Sequence, residues 1–183
     1  MVLAQGVEGI AVGLSTKILP HNFIELCEAS IEILKGNEVS IYPDFLTSGK
    51  ADVSNYQGGK RGGKVRMRAH IETKDKSTLL IKDIPYGVTT SSMIDSIVKA
   101  NDKGKIKIKK VTDNTAKYVE IQVDLPSGIS PDIAIDALYA FTDCEVSISP
   151  NACIIIDERP VFLTVDEILR LSTAHTKDLL RQE

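Results

Sequence analysis

The sequence predicts an α+β protein: a mostly antiparallel sheet with helices on one face, a two-layer sandwich. Three observations carry this. Gly63-Lys-Val-Arg-Met-Arg68 returns as Gly104-Lys-Ile-Lys-Ile-Lys109, and Asp83-Ile-Pro-Tyr-Gly-Val-Thr89 returns at the same offset as Asp124-Leu-Pro-Ser-Gly-Ile-Ser130. Between these markers each copy has a strand, a polar turn (around Lys74-Asp75, then Asn114-Thr115) and a second strand. A helical segment follows each copy, Thr90 to Ala100 and then Pro131 to Phe141, so the repeating unit is a β-hairpin followed by a helix. Two copies are too few for a solenoid.

At the N-terminal end, Gly9-Ile-Ala-Val-Gly13 is a short apolar run bounded by glycines, which suits a small buried strand or a tight wing. Ser15, Thr16 and Lys17 are polar, and Ile18 and Leu19 then precede Pro20. Proline biases the residue before it away from the helical region, so this pair is expected to be exposed at a bend. Such residues fit two readings. One is a hydrophobic staple for the following helix. The other is a wedge pushed between base pairs from the minor groove.

Asn22 and Glu25 have capping-box spacing, and Phe23, Leu26, Cys27, Ile31 and Leu34 recur at helical spacing until Gly36. The positive end of this helix, beside His21 and Asn22, suits a phosphate; the alternative is a helix whose cap merely satisfies itself. From Ser48 to Gly63 the chain is rich in Gly, Ser, Lys and Asn and reads as an exposed loop. Gly58, Gly63 and Lys64 imitate a phosphate-binding P-loop, but Val65 stands where a hydroxyl must hold magnesium and a strand follows where a helix is required.

Lys64, Arg66 and Arg68 alternate with Val65, Met67 and Ala69, and Lys105, Lys107 and Lys109 alternate with Ile106 and Ile108. The apolar partners are expected to face the helices. The cations, joined by Lys60 and Arg61, then share the opposite sheet face, either as an ordinary solvated face or as a platform for a duplex backbone. Thr89 and Ser130 are natural N-caps, with Pro131 at the first helical position. Glu145 to Ile156 reads as a further strand, Asp157-Glu-Arg-Pro160 as a turn, and Thr164 with Glu167 as a capping box. That box opens a helix still running at Arg181.

The bulk composition bounds the function. A chain of 183 residues with 43% apolar and 26% charged residues is an ordinary globular protein. No apolar run approaches the roughly 20 residues of a membrane span, so neither a membrane partner nor a signal peptide is expected, and the localisation read is cytoplasmic. Cys27, Cys144 and Cys153 form no Cys-x-x-Cys pair and read as reduced core cysteines. His21, His70 and His175 lack partners at metal-ligand spacing, so no metal site is expected. The net charge of −3 argues against a uniformly basic nucleic-acid binder and turns attention to local clusters.

Gly9-Ile-Ala-Val-Gly-x-x-Thr-x-Ile-x-Pro-His-Asn22, followed in order by Pro43-Asp-Phe45, Gly63-Lys-Val-Arg66 and Ile84-Pro-Tyr86, resembles the A subunit of bacterial type IIA topoisomerases over essentially the whole chain. The Lys-Ile-Leu-Pro spelling and short loops look more like topoisomerase IV than gyrase. The resemblance implies that residues 1–21 end a winged-helix region, 22–163 form a tower domain, and 164–183 begin a coiled coil toward the C-gate. It implies intercalation of Ile18 into bent double-stranded DNA. Phosphate contacts are then expected from Lys17, His21, Asn22, Lys60, Arg61, Lys64, Arg66, Arg68, Lys105, Lys107 and Lys109.

The family cleaves DNA with a tyrosine beside an arginine, and none of Tyr42, Tyr56, Tyr86, Tyr118 and Tyr139 follows an arginine. The chain is therefore expected to be a catalytically inactive piece of an ATP-dependent, nucleoid-associated enzyme. No cofactor is expected in it, because Mg2+ and ATP belong to the B subunit of an A2B2 assembly. The alternative function is a structural spacer between the cleavage core and the C-gate, without DNA contact.

Overall fold

A computed structural model describes residues 1–47 and 49–182. Ser48, the start of the expected loop, and Glu183 lie outside the described residues. The elements in chain order are α1 (Val2–Gln5), β1 (Val7–Ala11), β2 (Leu14–Ile18), α2 (Phe23–Leu34), β3 (Lys50–Asn55), a short 3-10 turn (Gln57–Gly59), β4 (Lys64–Arg68), β5 (His70–Asp75) and β6 (Thr78–Asp83). They continue as α3 (Thr90–Asp102), β7 (Lys110–Asp113), β8 (Ile121–Asp124), α4 (Pro131–Phe141), β9 (Glu145–Ile148), β10 (Cys153–Ile156), β11 (Arg159–Phe162) and α5 (Val165–Gln182). The fold is α+β with antiparallel hairpins, as the sequence implies. Two compact units are present: Met1–Phe45, Val53–Val65 and Ile148–Glu183 form one, and Leu46–Asp52 with Arg66–Ser147 form the other.

The second unit contains the repeat. Its four-stranded sheet has the order β5–β6–β8–β7, all antiparallel, with Leu79 opposite Val123 and Ile81 opposite Ile121. These four side chains are fully buried and form one core with Met93 and Ile97 of α3 and Leu138 of α4. Strand alternation puts them on a single face. The sheet therefore has one helix-covered side, and burial of whole aliphatic side chains at about 1.5–3 kcal/mol each dominates its stability. Thr89 and Ser92 cap α3 reciprocally, and Pro131 occupies the first turn of α4. On the uncovered face Glu72, Leu80, Gln122 and Thr112 lie in register across the sheet, and Lys82 pairs with Glu120.

Two local expectations are corrected. The segment from Gly104 to Lys109 is not a strand; β7 begins only at Lys110. The alternation survives because Ile106 is buried, but Lys109 N donates to Asp124 O and the preceding lysines lie on irregular chain. Residues 50–55, expected as loop, form β3 in a three-stranded sheet of order β3–β4–β9. Strand pairing there overrides a weak local propensity.

In the first unit, β1 and β2 form a hairpin with Val7 opposite Ile18 and Ala11 opposite Leu14. Backbone bonds between Lys17 and Asn151, and a 2.9 Å bond from Thr16 Oγ1 to Cys153 O, join β2 to the segment leading into β10. Helix α2 is amphipathic only in part: Leu26 is buried, while Phe23, Cys27, Ile31 and Leu34 are exposed. Cys27 is thus no core cysteine, and Cys153 is half-buried; only Cys144 is enclosed, and burial pushes its thiol up to about 12. Thr164 and Glu167 close the expected capping box on α5.

Candidate nucleic-acid interface

The β1–β2 hairpin is the most exposed apolar feature of the first unit. All five residues of β1 are exposed, and at the tip Ile10 and Val12 have 89% and 103% relative exposure. Aliphatic side chains at a turn gain nothing from water, and here no core accepts them. Beside the tip runs a groove of about 550 Å³ whose walls include Ile10, Leu14, Ser15, Arg61, Asn151 and Phe162. Arg61 forms no ion pair among the described residues.

At the other end the hairpin enters the core. Ile18 is 3% exposed and Leu19 1% exposed, which corrects the expectation that both project at a bend. The cause is Pro20, itself buried, which turns the chain inward. Gly6 permits the close approach: a Cβ there would lie 2.8 Å from Ile18 O and 2.9 Å from Pro20 N. Ile18 thus has no surface to offer a base step. The exposed tooth is Ile10, which sequence reasoning passed over. The available signal was its place between Gly9 and Gly13, in a two-strand wing too narrow to bury both faces.

His21 and Asn22 are also placed otherwise than expected. His21 is 4% exposed, and burial lowers the pKa of its imidazole from the ordinary value. Its Nδ1 lies 2.9 Å from Leu3 O and its Nε2 3.3 Å from Tyr56 Oη, so it is enclosed by protein and does not face a phosphate. Asn22 Oδ1 accepts from Ile24 N and Glu25 N, at 2.9 and 3.4 Å, and its Nδ2 donates to Asp44. The α2 terminus therefore satisfies itself, the simpler of its two sequence readings.

The cations divide into paired and unpaired groups. Lys17 lies 3.1 Å from Glu8 across the hairpin, and Lys60 lies 3.8 Å from Glu167. On β4, Lys64, Arg66 and Arg68 do point one way, with Val65 and Met67 buried behind them. Arg68 Nε lies 2.5 Å from Glu145 Oε2 and its guanidinium lies over the Tyr139 ring; Arg66 reaches both Asp52, at 3.6 Å, and Glu145, at 3.8 Å. Glu145 holds the Arg68 pKa above its ordinary value. Lys64, Lys107 and Lys109 have no ion pair among the described residues, and Lys105 sits over the Phe141 ring at 5.8 Å.

The expected shared platform is therefore corrected. Lys64, Arg66 and Arg68 belong to the β3–β4–β9 sheet, Lys105 to Lys109 to irregular chain before β7, and the open face of the four-stranded sheet carries both signs of charge. Glu145 lies far from β4 in sequence, which hid its pairing. Among the described residues no group of three His, Cys, Asp or Glu side chains could hold a metal ion.

A model of the DNA gyrase/topoisomerase IV A-subunit family matches residues 1–183. The chain belongs to that family. It is 43% identical over its whole length to the A subunit of DNA topoisomerase 4 from Borreliella burgdorferi, covering 29% of that protein. It is 33% identical to the DNA gyrase A subunit of Lawsonia intracellularis and 31% identical to that of Chlamydia pneumoniae, covering 24% of each. The identity is thus higher to this topoisomerase IV relative than to these gyrase relatives. The chain spans less than a third of the length of the curated relatives it matches. No helix is long and apolar enough to cross a membrane among the described residues.

Proposed function

We propose that the chain is a DNA-holding and DNA-bending module of a type IIA topoisomerase A subunit. The carrying observation is the exposed aliphatic tip at Ile10, beside a groove walled by the unpaired Arg61. An aliphatic side chain driven between base pairs unstacks one step at a cost of about a few kcal/mol, and sharp bending adds roughly 1–6 kcal/mol. Counterion release at cationic side chains offsets these costs without reading sequence. In the first unit Arg61, Lys60 and Lys64 supply such charge. In the second, Lys105, Lys107 and Lys109 form a patch of their own. Arg66 and Arg68 remain candidates only where a phosphate displaces their carboxylate partners.

In this reading residues 1–21 end the winged-helix region, 22–163 form the tower and 164–183 lead toward the C-gate. The cutting chemistry, Mg2+ and ATP belong to other parts of the assembly, which includes a second A subunit, and to its B subunits. A spacer role is favoured for the β3–β4–β9 sheet by one observation, the pairing of Arg66 and Arg68 with Glu145. The test is Ile10→Ala in the full-length protein, with duplex bending read by energy transfer between end labels. Bending is expected to fall while affinity changes little; unchanged bending refutes the wedge.

A further inference from the structure

We propose that His21 is a positioning residue for this interface: its imidazole locks the root of the Ile10 hairpin to the turn that carries Lys60 and Arg61. The inference rests on the reading that Ile10 opens a base step. Chain enters the hairpin through Leu3 and Ala4 and leaves it at His21. His21 N donates to Ala4 O at 3.3 Å, and the ring reaches Leu3 O at 2.9 Å. A peptide carbonyl only accepts, so Nδ1 carries the proton. Nε2 then presents a lone pair, and the Tyr56 hydroxyl donates to it across 3.3 Å.

Tyr56 in turn organises the cationic turn. It is 2% exposed, its carbonyl accepts from Gly59 N, and Gly63 packs so closely that a Cβ would lie 2.2 Å from Tyr56 O. Lys60 and Arg61 are carried between these two glycines. One imidazole therefore bonds to the hairpin root on one side and the base of the cationic turn on the other. Without that link the cations still attract a duplex, because counterion release needs no fixed spacing. Unstacking does need it, since the tooth must meet one step while the charges hold the strand beside it.

The charged groups facing the ring are Asp166 of α5 and Glu25 of α2; Arg170 in turn faces Asp166. Both carboxylates favour the imidazolium, yet burial outweighs them and the ring stays neutral below its ordinary range. A second ring proton would take away the acceptor of the Tyr56 hydroxyl and leave that donor buried without its partner.

The test uses the full-length protein and short duplexes carrying 2-aminopurine at successive steps, whose fluorescence rises on unstacking. Tyr56→Phe keeps the packing and deletes the bond. It is expected to keep duplex affinity within about two-fold while cutting the fluorescence rise about five-fold, the worth of one buried hydrogen bond. The wild-type rise is expected to fade as pH drops below about 6.5, with a flat profile in Tyr56→Phe. Asp166→Asn is expected to keep the fading, which assigns it to His21. His21→Gln, whose amide can accept from Tyr56, is expected to restore part of the rise and serves if Tyr56→Phe fails to fold. A wild-type rise and pH profile in Tyr56→Phe overturn the inference, as does an affinity loss matching the fluorescence loss. Ile10→Ala separates the two ideas: an undiminished rise there overturns the wedge itself, whereas its loss there with no change in Tyr56→Phe overturns only the positioning role.

Discussion

Replacing Glu145 by Gln is expected to weaken the fold slightly and tighten DNA binding. Glu145 opens β9 with 22% of its side chain exposed and faces two guanidinium groups, Arg68 at 2.5 Å and Arg66 at 3.8 Å, each about half exposed. Exposed ion pairs contribute about 0.2–1 kcal/mol each, and solvent screening keeps the pair toward the lower end, so the loss is roughly 0.5–1 kcal/mol. At about 2–4 °C per kcal/mol for a chain of this size, the melting temperature falls by roughly 1–4 °C. The freed cations can each neutralise a phosphate, and each such contact steepens the slope of log K against log salt by about 0.9. The assay is fluorescence-anisotropy titration of a short duplex from low to moderate salt, beside a thermal melt. A slope steeper by up to about 1.8 is expected, with affinity up several-fold at low salt. Asp132→Asn, an exposed carboxylate in the first turn of α4, changes net charge equally and is expected to leave the slope alone. A lower melting temperature with wild-type slope and affinity would refute the reasoning and leave β4 as a spacer strand.

Three further outcomes follow from other sites. Asn22→Ala removes the side chain that caps α2 and is expected to cost about 0.5–2 kcal/mol in chemical denaturation with no change in duplex affinity. Gly63→Ala puts a methyl group against the Tyr56 carbonyl, where it cannot fit without moving backbone; a drop of about 2 kcal/mol or more is expected, checked by urea melts. For His21, whose folded pKa is lowered by burial, the unfolded chain binds more protons in acid. Its contribution is therefore fully present above about pH 6.5 and is lost as pH falls below that value. Urea melts at a series of pH values should show this leg in the wild type and not in His21→Gln.

What the sequence determined alone is what local pattern and repetition encode. The duplicated hairpin-and-helix unit, the α3 and α4 boundaries with Thr89 and Pro131 at their starts, the capping box at Thr164 and the outward alternation along Lys64, Arg66 and Arg68 depend on neighbours a few residues apart. Family membership was likewise legible in the Gly9–Asn22 motif. Tertiary structure decided which exposed group stays exposed. Ile10 and Ile18 are both isoleucines of one hairpin, and only the path after Pro20 buries one while leaving the other at the tip. Likewise, Glu145 and Asp52 neutralise arginines distant in sequence, and Tyr56 reaches His21 through the fold. Periodicity records which way a side chain points; what it meets there is fixed by contacts between segments that sequence spacing does not report.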